Sequence, residues 1–486
     1  MGRRFRFWQV PVVSAVALAS CGPPATPECV RRGVEVCNGL DDDCNGLTDD
    51  NVSTRGEVCN GIDDDCDGAT DEGVSPQPEV CNGVDDDCDG VVDNGVFGVI
   101  SGPWLLAELD GPFGGCTGAR SPGADQALVT WWSRLGVALF GSGFEIGHVG
   151  VSGVSGPVHA TAIDRLLAVS PFFTAGGPGV ATASADEGLR RVDVKLMRLL
   201  PDGAVDSAVQ TWSSPPVGVV WANVTSALGI DAPTMAVSIT LNDGTNALWF
   251  LHPNREWLVR GTVPMYAGLG DLTGLVAAVD GSWASVFAQE PPGSVWIARV
   301  MGPVPGGVET IVPVDLAGIV TEAAEFPLVM SLVMFGGMVG WDGQRMIVNA
   351  GVPGGSRETL IEMGDGSRSV LVVAVVSREI EPGMAATRIV GLRPGRWVLA
   401  RWVSAGPDVP DALGLWSLAD LHGYEYAESA SALVSVSGLA SGGQVVFDYW
   451  PVATVDDAGD LLIVIEVGDP FREREALWGY VVGCQG

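Results

Sequence analysis

Three short acidic segments carry side chains whose types and spacing suit metal binding. They read Asp-Asp-Asp-Cys-Asn-Gly at residues 41–46, Asp-Asp-Asp-Cys-Asp-Gly at 63–68, and the latter again at 85–90. In each segment, carboxylate or amide oxygens alternate at positions 1, 3 and 5 of a loop, and glycine at position 6 permits a sharp turn. This spacing is typical of a calcium loop, because calcium takes about six to eight hard oxygen ligands.

The predicted ligands occupy positions 1, 3, 5 and 9 of each loop, with the carbonyl oxygen at position 7 and, in two loops, an acid at position 10. They are Asp41, Asp43, Asn45, Leu47, Asp49 and Asp50, then Asp63, Asp65, Asp67, Ala69, Asp71 and Glu72, then Asp85, Asp87, Asp89, Val91 and Asp93. Position 12 is valine in every loop, so the bidentate glutamate of an EF-hand is missing. We expect structural Ca²⁺ with a Kd of about 10⁻⁴–10⁻³ M, as in extracellular modules. The alternative is three solvated acidic turns that bind no ion.

The three loops belong to a repeat of 22 residues that opens with Glu-Val-Cys-Asn-Gly at residues 35, 57 and 79. This pattern resembles the MopE-type metal-binding repeat of bacterial surface proteins, over residues 35–96 only. The resemblance implies a surface location and a bound metal, which the family name gives as copper. We expect calcium instead, because the loops offer no histidine or methionine and their oxygen ligands suit a hard cation.

Each repeat holds two cysteines seven residues apart, one before the acidic loop and one at loop position 4. This spacing predicts one local disulfide bond in each repeat: Cys37–Cys44, Cys59–Cys66 and Cys81–Cys88. Cys116 and Cys484 lie near the two ends of the remaining chain, and we predict that they pair and clasp it shut. Cys29 is left without an assigned partner. Paired cysteines indicate an oxidising, exported location.

The N-terminus has the features of an export signal. Arginines at positions 3, 4 and 6 precede an apolar segment at 10–19 that is too short to span a bilayer. Leu18-Ala19-Ser20-Cys21 resembles the bacterial lipobox, which implies cleavage before Cys21 and acylation of that cysteine. We therefore predict a signal peptide at 1–20, a lipidated tether at 21–34 and an exported lipoprotein of the outer membrane or cell surface, held at the membrane by its lipid anchor.

The formal net charge of −33 excludes a nucleic-acid-binding protein, because that class needs basic patches to meet phosphates. Residues 28–95 hold 20 acidic residues against three arginines, so this segment repels itself unless cations neutralise it.

The chain from 97 to 486 has the pattern of an all-β domain. Short apolar runs such as Ser294–Val300 and Arg345–Asn349 alternate with turn signals such as Asp202-Gly203 and Asp342-Gly343. About 390 residues of short strands exceed one sandwich, so we predict a β-propeller of about six to eight blades behind a disulfide-braced calcium-loop stalk. Tandem β-sandwiches are the alternative.

The function predicted for the large domain is binding of an unidentified protein or carbohydrate partner at the cell surface. The four histidines are scattered, and no nucleophile elbow, P-loop or dinucleotide-binding motif is present in the sequence. Paired carboxylates distant in sequence leave a surface-anchored hydrolase or lyase on a propeller scaffold as the alternative.

Overall fold

The computed structural model describes residues 71–485 with interruptions, which fall mainly between strands. Before residue 71 it describes Leu47, Glu57, Cys59 and Ala69. The interruptions are at 122, 136–139, 175–176, 215, 217–218, 228–233, 242–245, 254–258, 263–271, 278–282, 290–293, 301–309, 316–338, 343–344, 350–356, 367–368, 380–387, 394, 405–409, 422–423, 425–428, 437–438, 440–445 and 470–473.

The described part of the chain forms 27 strands in six antiparallel sheets, five of four strands and one of seven. The seven-stranded sheet divides within its long fourth strand into two blades that share this strand, which gives seven four-stranded blades. Blade 1 contains β2 (Phe113–Arg120), β3 (Gln126–Ser133), β4 (Gly141–Gly150) and the first part of β5 (Gly153–Thr174). Blade 2 contains the rest of β5, with β6 (Gly177–Ala185), β7 (Val192–Leu199) and β8 (Val205–Ser213). Blade 3 contains β9 (Val219–Ala227), β10 (Thr234–Leu241), β11 (Asn246–Pro253) and β12 (Val259–Thr262). Blade 4 contains β13 (Leu272–Ala277), β14 (Trp283–Gln289), β15 (Ser294–Val300) and β16 (Thr310–Asp315).

The last three blades complete the series. Blade 5 contains β17 (Val339–Trp341), β18 (Arg345–Asn349), β19 (Arg357–Gly366) and β20 (Ser369–Glu379). Blade 6 contains β21 (Arg388–Arg393), β22 (Arg396–Ser404), β23 (Pro410–Leu418) and β24 (Ala432–Ser435). Blade 7 contains β25 (Val446–Thr454), β26 (Leu461–Asp469), β27 (Arg474–Cys484) and, as its outermost strand, β1 (Phe97–Leu109).

The blades close into a ring through their innermost strands. The second part of β5 contacts β2 and β9, and contacts continue from β9 to β13, β17, β21 and β25, which returns to β2. The N-terminal strand β1 pairs with the C-terminal strand β27, with Phe97 opposite Cys484, so the two ends of the domain share one blade. The predicted all-β propeller of six to eight blades is therefore confirmed, and the tandem sandwich arrangement is not adopted.

Alternating side chains of one strand enter two different cores, because each blade packs between two others. In β22, Val398 and Ala400 pack against blade 7, whereas Leu399 packs against blade 5. In β26, Ile463 faces blade 6 and Leu462 faces blade 1. Both faces of these strands are thus buried, which explains the continuous apolar runs in the sequence. Each fully buried aliphatic side chain of this kind contributes about 1.5–3 kcal/mol.

The predicted disulfide pairing is wrong for the described cysteines. Cys59 bonds to Cys88 in the next repeat, and Cys81 bonds to Cys484 at the end of β27. Local bonds do not form because Cys81 faces the propeller, with its sulfur 3.4 Å from Arg396 Nη2, whereas Cys88 faces the preceding repeat.

Cys116 is a free thiol, so the predicted Cys116–Cys484 clasp is also wrong. Cys116 is buried in the apolar core between blades 7 and 1, and this burial raises the pKa of its thiol far above the ordinary value. Cys21, Cys37, Cys44 and Cys66 lie outside the described residues. In the described part of the chain, no helix has the length and apolar character to cross a membrane.

Candidate metal centre

The third repeat leads directly into the propeller, and its loop brings three carboxylates together. Glu79, Asp85 and Asp87 each offer a carboxylate oxygen, and these oxygens lie within 4.8 Å of one another. The loop is shaped by its own amides, because Asp85 Oδ2 accepts a hydrogen bond from the Gly90 N–H at 2.8 Å. Gly90 itself has a φ of 85°, a left-handed conformation that favours glycine and allows the sharp turn predicted at position 6.

Crowding of these acids makes the cluster favourable for a cation. Partial burial raises the pKa of the Glu79 carboxyl, and the charges of Asp85 and Asp87 raise it further, against the opposing effect of two backbone N–H donors. Partial burial likewise raises the pKa of Asp85, with a further contribution from Asp89. A bound divalent ion would replace this mutual repulsion with attraction.

Residues at even positions point away from the cluster, as the loop pattern predicts. Asp86 accepts hydrogen bonds from the Val80 N–H at 3.2 Å and the Asn82 Nδ2 amide at 3.0 Å. Cys88, at position 4, has a φ of 59° and forms the bond to Cys59. Neither side chain is therefore available to an ion held by positions 1 and 3.

Two other predicted ligands of the third loop are engaged elsewhere. Asp89 is exposed, and its carboxylate accepts hydrogen bonds from the Val91 N–H at 2.9 Å and from Asn94 Nδ2 at 2.7 Å. Asp93 is fully buried and forms an ion pair with Arg396, with Oδ2 3.3 Å from Nη1. The structure thus gives Asp93 a docking role in place of the ligand role predicted from position 9.

The docking interface between the third repeat and the propeller comprises Cys81, Gly83, Val92 and Asp93 against Arg396, Ala419 and Cys484. Asp93 Oδ1 also accepts the N–H groups of Asn82 at 2.9 Å and Gly83 at 3.0 Å. The Gly83 carbonyl accepts the Ala419 N–H at 3.1 Å, and a Cβ on Gly83 would stand 2.4 Å from that nitrogen. Glycine is therefore required here for a close backbone approach.

The second repeat shares backbone features with the third. Asp71 and Asp93 have φ values of 56° and 54°, and Gly73 and Gly95 have 70° and 73°, at positions 22 residues apart. Glu57 Oε2 accepts the Asp71 N–H at 2.9 Å. Ala69, Asp71 and Glu72 of the second loop and Leu47 of the first are described. The other predicted ligands of these loops lie outside the described residues: Asp41, Asp43, Asn45, Asp49, Asp50, Asp63, Asp65 and Asp67.

Sequence reasoning missed Glu79 and Arg396. Glu79 lies six residues before position 1, outside the calcium-loop template, although the sequence does hold a signal, because glutamate opens all three repeats. No local signal points to Arg396, since it lies 303 residues after Asp93.

A cavity of about 350 Å³ adjoins the docking interface, where the turn between β25 and β26 approaches blades 5 and 6. Its carboxylates hold the surrounding backbone. Asp342 accepts the N–H groups of Arg345 and Gly395, and Asp456 accepts that of Asp460. Burial and the neighbouring Asp456 charge raise the pKa of Asp460 to about 7.

Comparison with known families identifies the N-terminal segment. The family described as "Putative metal-binding motif" and named Cu-binding MopE matches residues 32–50, 52–72 and 75–94. The chain carries three tandem MopE-type repeats. The donor atoms of the third MopE-type repeat are carboxylate oxygens, and its cysteines are in disulfide bonds. This set fits a hard cation such as Ca²⁺ better than copper, which favours imidazole and sulfur ligands.

No curated protein matches the chain. Similar solved structures include the WD40 domain of SCAP from fission yeast, at 11% identity over 78% of this chain and 97% of that chain, with a TM-score of 0.41. The β-propeller domain of the Trilobed protease from Pyrococcus furiosus has 10% identity over 75% and 95%, with a TM-score of 0.37. A mutant of Aleuria aurantia lectin in complex with alpha-methyl-L-fucoside has 11% identity over 65% and 93%, with a TM-score of 0.32. The propeller assignment rests on the strand pairing of this chain.

Proposed function

We propose that this protein is a lipid-anchored surface protein in which calcium-loaded MopE-type repeats form a stiff stalk and hold out the propeller to bind a protein or glycan partner. The observation that carries this proposal is the cluster of Glu79, Asp85 and Asp87 in a loop joined to the propeller by a disulfide bond. An ion in such a loop would fix the stalk relative to the domain that it presents.

Calcium is favoured over copper by the chemistry of the ligands. The cluster offers three carboxylates, and calcium binds oxygen ligands at about 2.3–2.6 Å in flexible geometries. A Kd near 10⁻⁴–10⁻³ M keeps such loops loaded outside a cell, where calcium is permanently present. The role of the ion is therefore structural.

Export and lipid attachment are supported by the sequence of the N-terminus. Cys21 follows an apolar segment and small residues in the order of a lipobox, and the bonded cysteines further along the chain fit an oxidising compartment. Replacing Cys21 with serine should release the protein from the membrane fraction of expressing bacteria. Retention of the Cys21→Ser protein in that fraction contradicts the lipid anchor.

Limited proteolysis tests the calcium-stiffened stalk. Cleavage within residues 28–95 should be slower in 10 mM calcium than in EDTA, because bound ions hold the acidic loops closed. An Asp85→Asn/Asp87→Asn variant should lose protection at the third loop, whereas Asp86→Asn should retain it. Identical digestion patterns in calcium and EDTA contradict the stalk.

A further inference from the structure

The positions of the calcium-loop template alone give the third loop too few oxygen ligands for a calcium ion. Position 9 is used for docking, because Asp93 pairs with Arg396. Position 12 is Val96, whose carbonyl oxygen accepts the N–H of Gln485 at 2.6 Å. Any further protein ligand, beside the water that calcium sites often include, therefore comes from outside the template.

Glu79 has the geometry of that ligand. Its Oε1 accepts the N–H groups of Asp86 at 2.7 Å and Asp87 at 2.9 Å, which folds the side chain back over its own loop. Its Oε2 is buried and makes no hydrogen bond. An unpaired buried carboxylate oxygen costs free energy unless a cation or a donor meets it.

The distances are compatible with one ion. Two ligands of the same calcium ion, each at about 2.3–2.6 Å, stand no more than about 5 Å apart. Three carboxylate oxygens, one each from Glu79, Asp85 and Asp87, lie within 4.8 Å of one another.

We propose that Glu79 is a calcium ligand and replaces, from the N-terminal side of the loop, the glutamate that an EF-hand supplies at position 12. This proposal rests on the calcium function proposed above. Oε1 fixes the loop amides and Oε2 meets the ion. Glu57 occupies the same position in the second repeat and also folds back on its own loop, where it accepts the Asp71 N–H. In the third repeat, the opening glutamate thus adds a ligand that needs no flanking helix.

The test compares Glu79→Gln with Asp86→Asn in the full-length chain. Both changes remove one negative charge from the same repeat, but Asp86 points away from the cluster. Bound calcium is counted by native mass spectrometry, and affinities are measured by calorimetry. The wild type and Asp86→Asn should bind three ions. Glu79→Gln should bind two with the affinity of the wild type and the third at least about tenfold more weakly, because a charged ligand is lost.

The outcomes separate this inference from the proposed function. If Glu79→Gln binds three ions with the affinity of Asp86→Asn, Glu79 is not a ligand, and the calcium function stands. If the wild type binds no calcium, the proposed function itself is overturned. Should Glu79→Gln not fold, Glu79→Asp takes its place, since it keeps the charge but withdraws the carboxylate by one methylene. It should show the same loss, and three ions at unchanged affinity in Glu79→Asp overturn the inference.

Discussion

The ion pair between Asp93 and Arg396 should be the main polar contact that fixes the third repeat to the propeller. The two side chains are 0% and 8% exposed, so both charges are removed from water. Replacing Asp93 with asparagine keeps an acceptor for the N–H groups of Asn82 and Gly83 but leaves the guanidinium buried without a counter-charge. Breaking a buried pair from one side costs about 3–5 kcal/mol, and we expect Asp93→Asn to lower the free energy of unfolding by this amount.

Urea unfolding followed by tryptophan fluorescence measures this loss. All tryptophans except Trp8 lie at residue 104 or later, so the signal reports on the propeller. The measurement is made in EDTA, which removes any contribution from bound metal. Asp89→Asn is the matched control, because it removes the same charge from an exposed side chain of the same loop and should change stability by less than about 0.5 kcal/mol.

A double-mutant cycle isolates the pair. Arg396→Met should be destabilising alone, but it should cost less in the Asp93→Asn background, with a coupling energy of about 2–3 kcal/mol between the two sites. If Asp93→Asn destabilises the protein only when calcium is present, Asp93 acts as the position 9 ligand and the docking role is refuted. A loss in EDTA no larger than that of Asp89→Asn refutes it as well.

Three further predictions concern pH, calcium and disulfide pairing. The pKa of Asp460 is raised to about 7 in the folded state, so the free energy of unfolding should fall as pH rises from about 4 through 7. Asp460→Asn should therefore be more stable than the wild type by about 2–4 kcal/mol at pH 8 but not at pH 4.5. Equal stabilities of the two proteins at pH 8 contradict this. Calcium at 10 mM should raise the propeller's free energy of unfolding by about 1.4–2.7 kcal/mol. An unchanged urea midpoint would show that calcium binding to the loop does not stabilise the propeller. Cys37 and Cys66 have the 29-residue separation of the described bond between the second and third repeats, so peptide mapping without reductant should recover them joined; a Cys37–Cys44 peptide would refute this register.

Much of the propeller could be predicted from local sequence. The runs Ser294–Val300 and Arg345–Asn349 coincide with β15 and β18, and the Asp342-Gly343 pair falls between β17 and β18. Such signals are local, because turns need particular residues and buried strands need apolar ones. The blade count was predictable only as a range, since β5 serves two blades in one continuous strand and blurs the period.

The candidate site was predictable in its oxygen chemistry but not in its full membership. The alternation of acids identified Asp85 and Asp87, which the structure does bring together. The role of Asp93 could not be read locally, because an aspartate at that position can bind a metal or an arginine, and the arginine is 303 residues away.

The disulfide pairing failed for the same reason. A separation of seven residues permits a local bond, but the loop between Cys81 and Cys88 turns the two side chains toward different partners. One faces Cys484 of the last blade and the other faces Cys59 of the preceding repeat. Tertiary packing decides between such alternatives, and a spacing rule contains no information on it.

Calorimetric titration of the full-length chain with calcium tests the central claim most directly. The protein should bind calcium with a measurable heat and a Kd of about 10⁻⁴–10⁻³ M, and the Asp85→Asn/Asp87→Asn variant should lose one site. No heat of binding from the wild-type chain at millimolar calcium would contradict the claim that these acidic loops hold a hard cation.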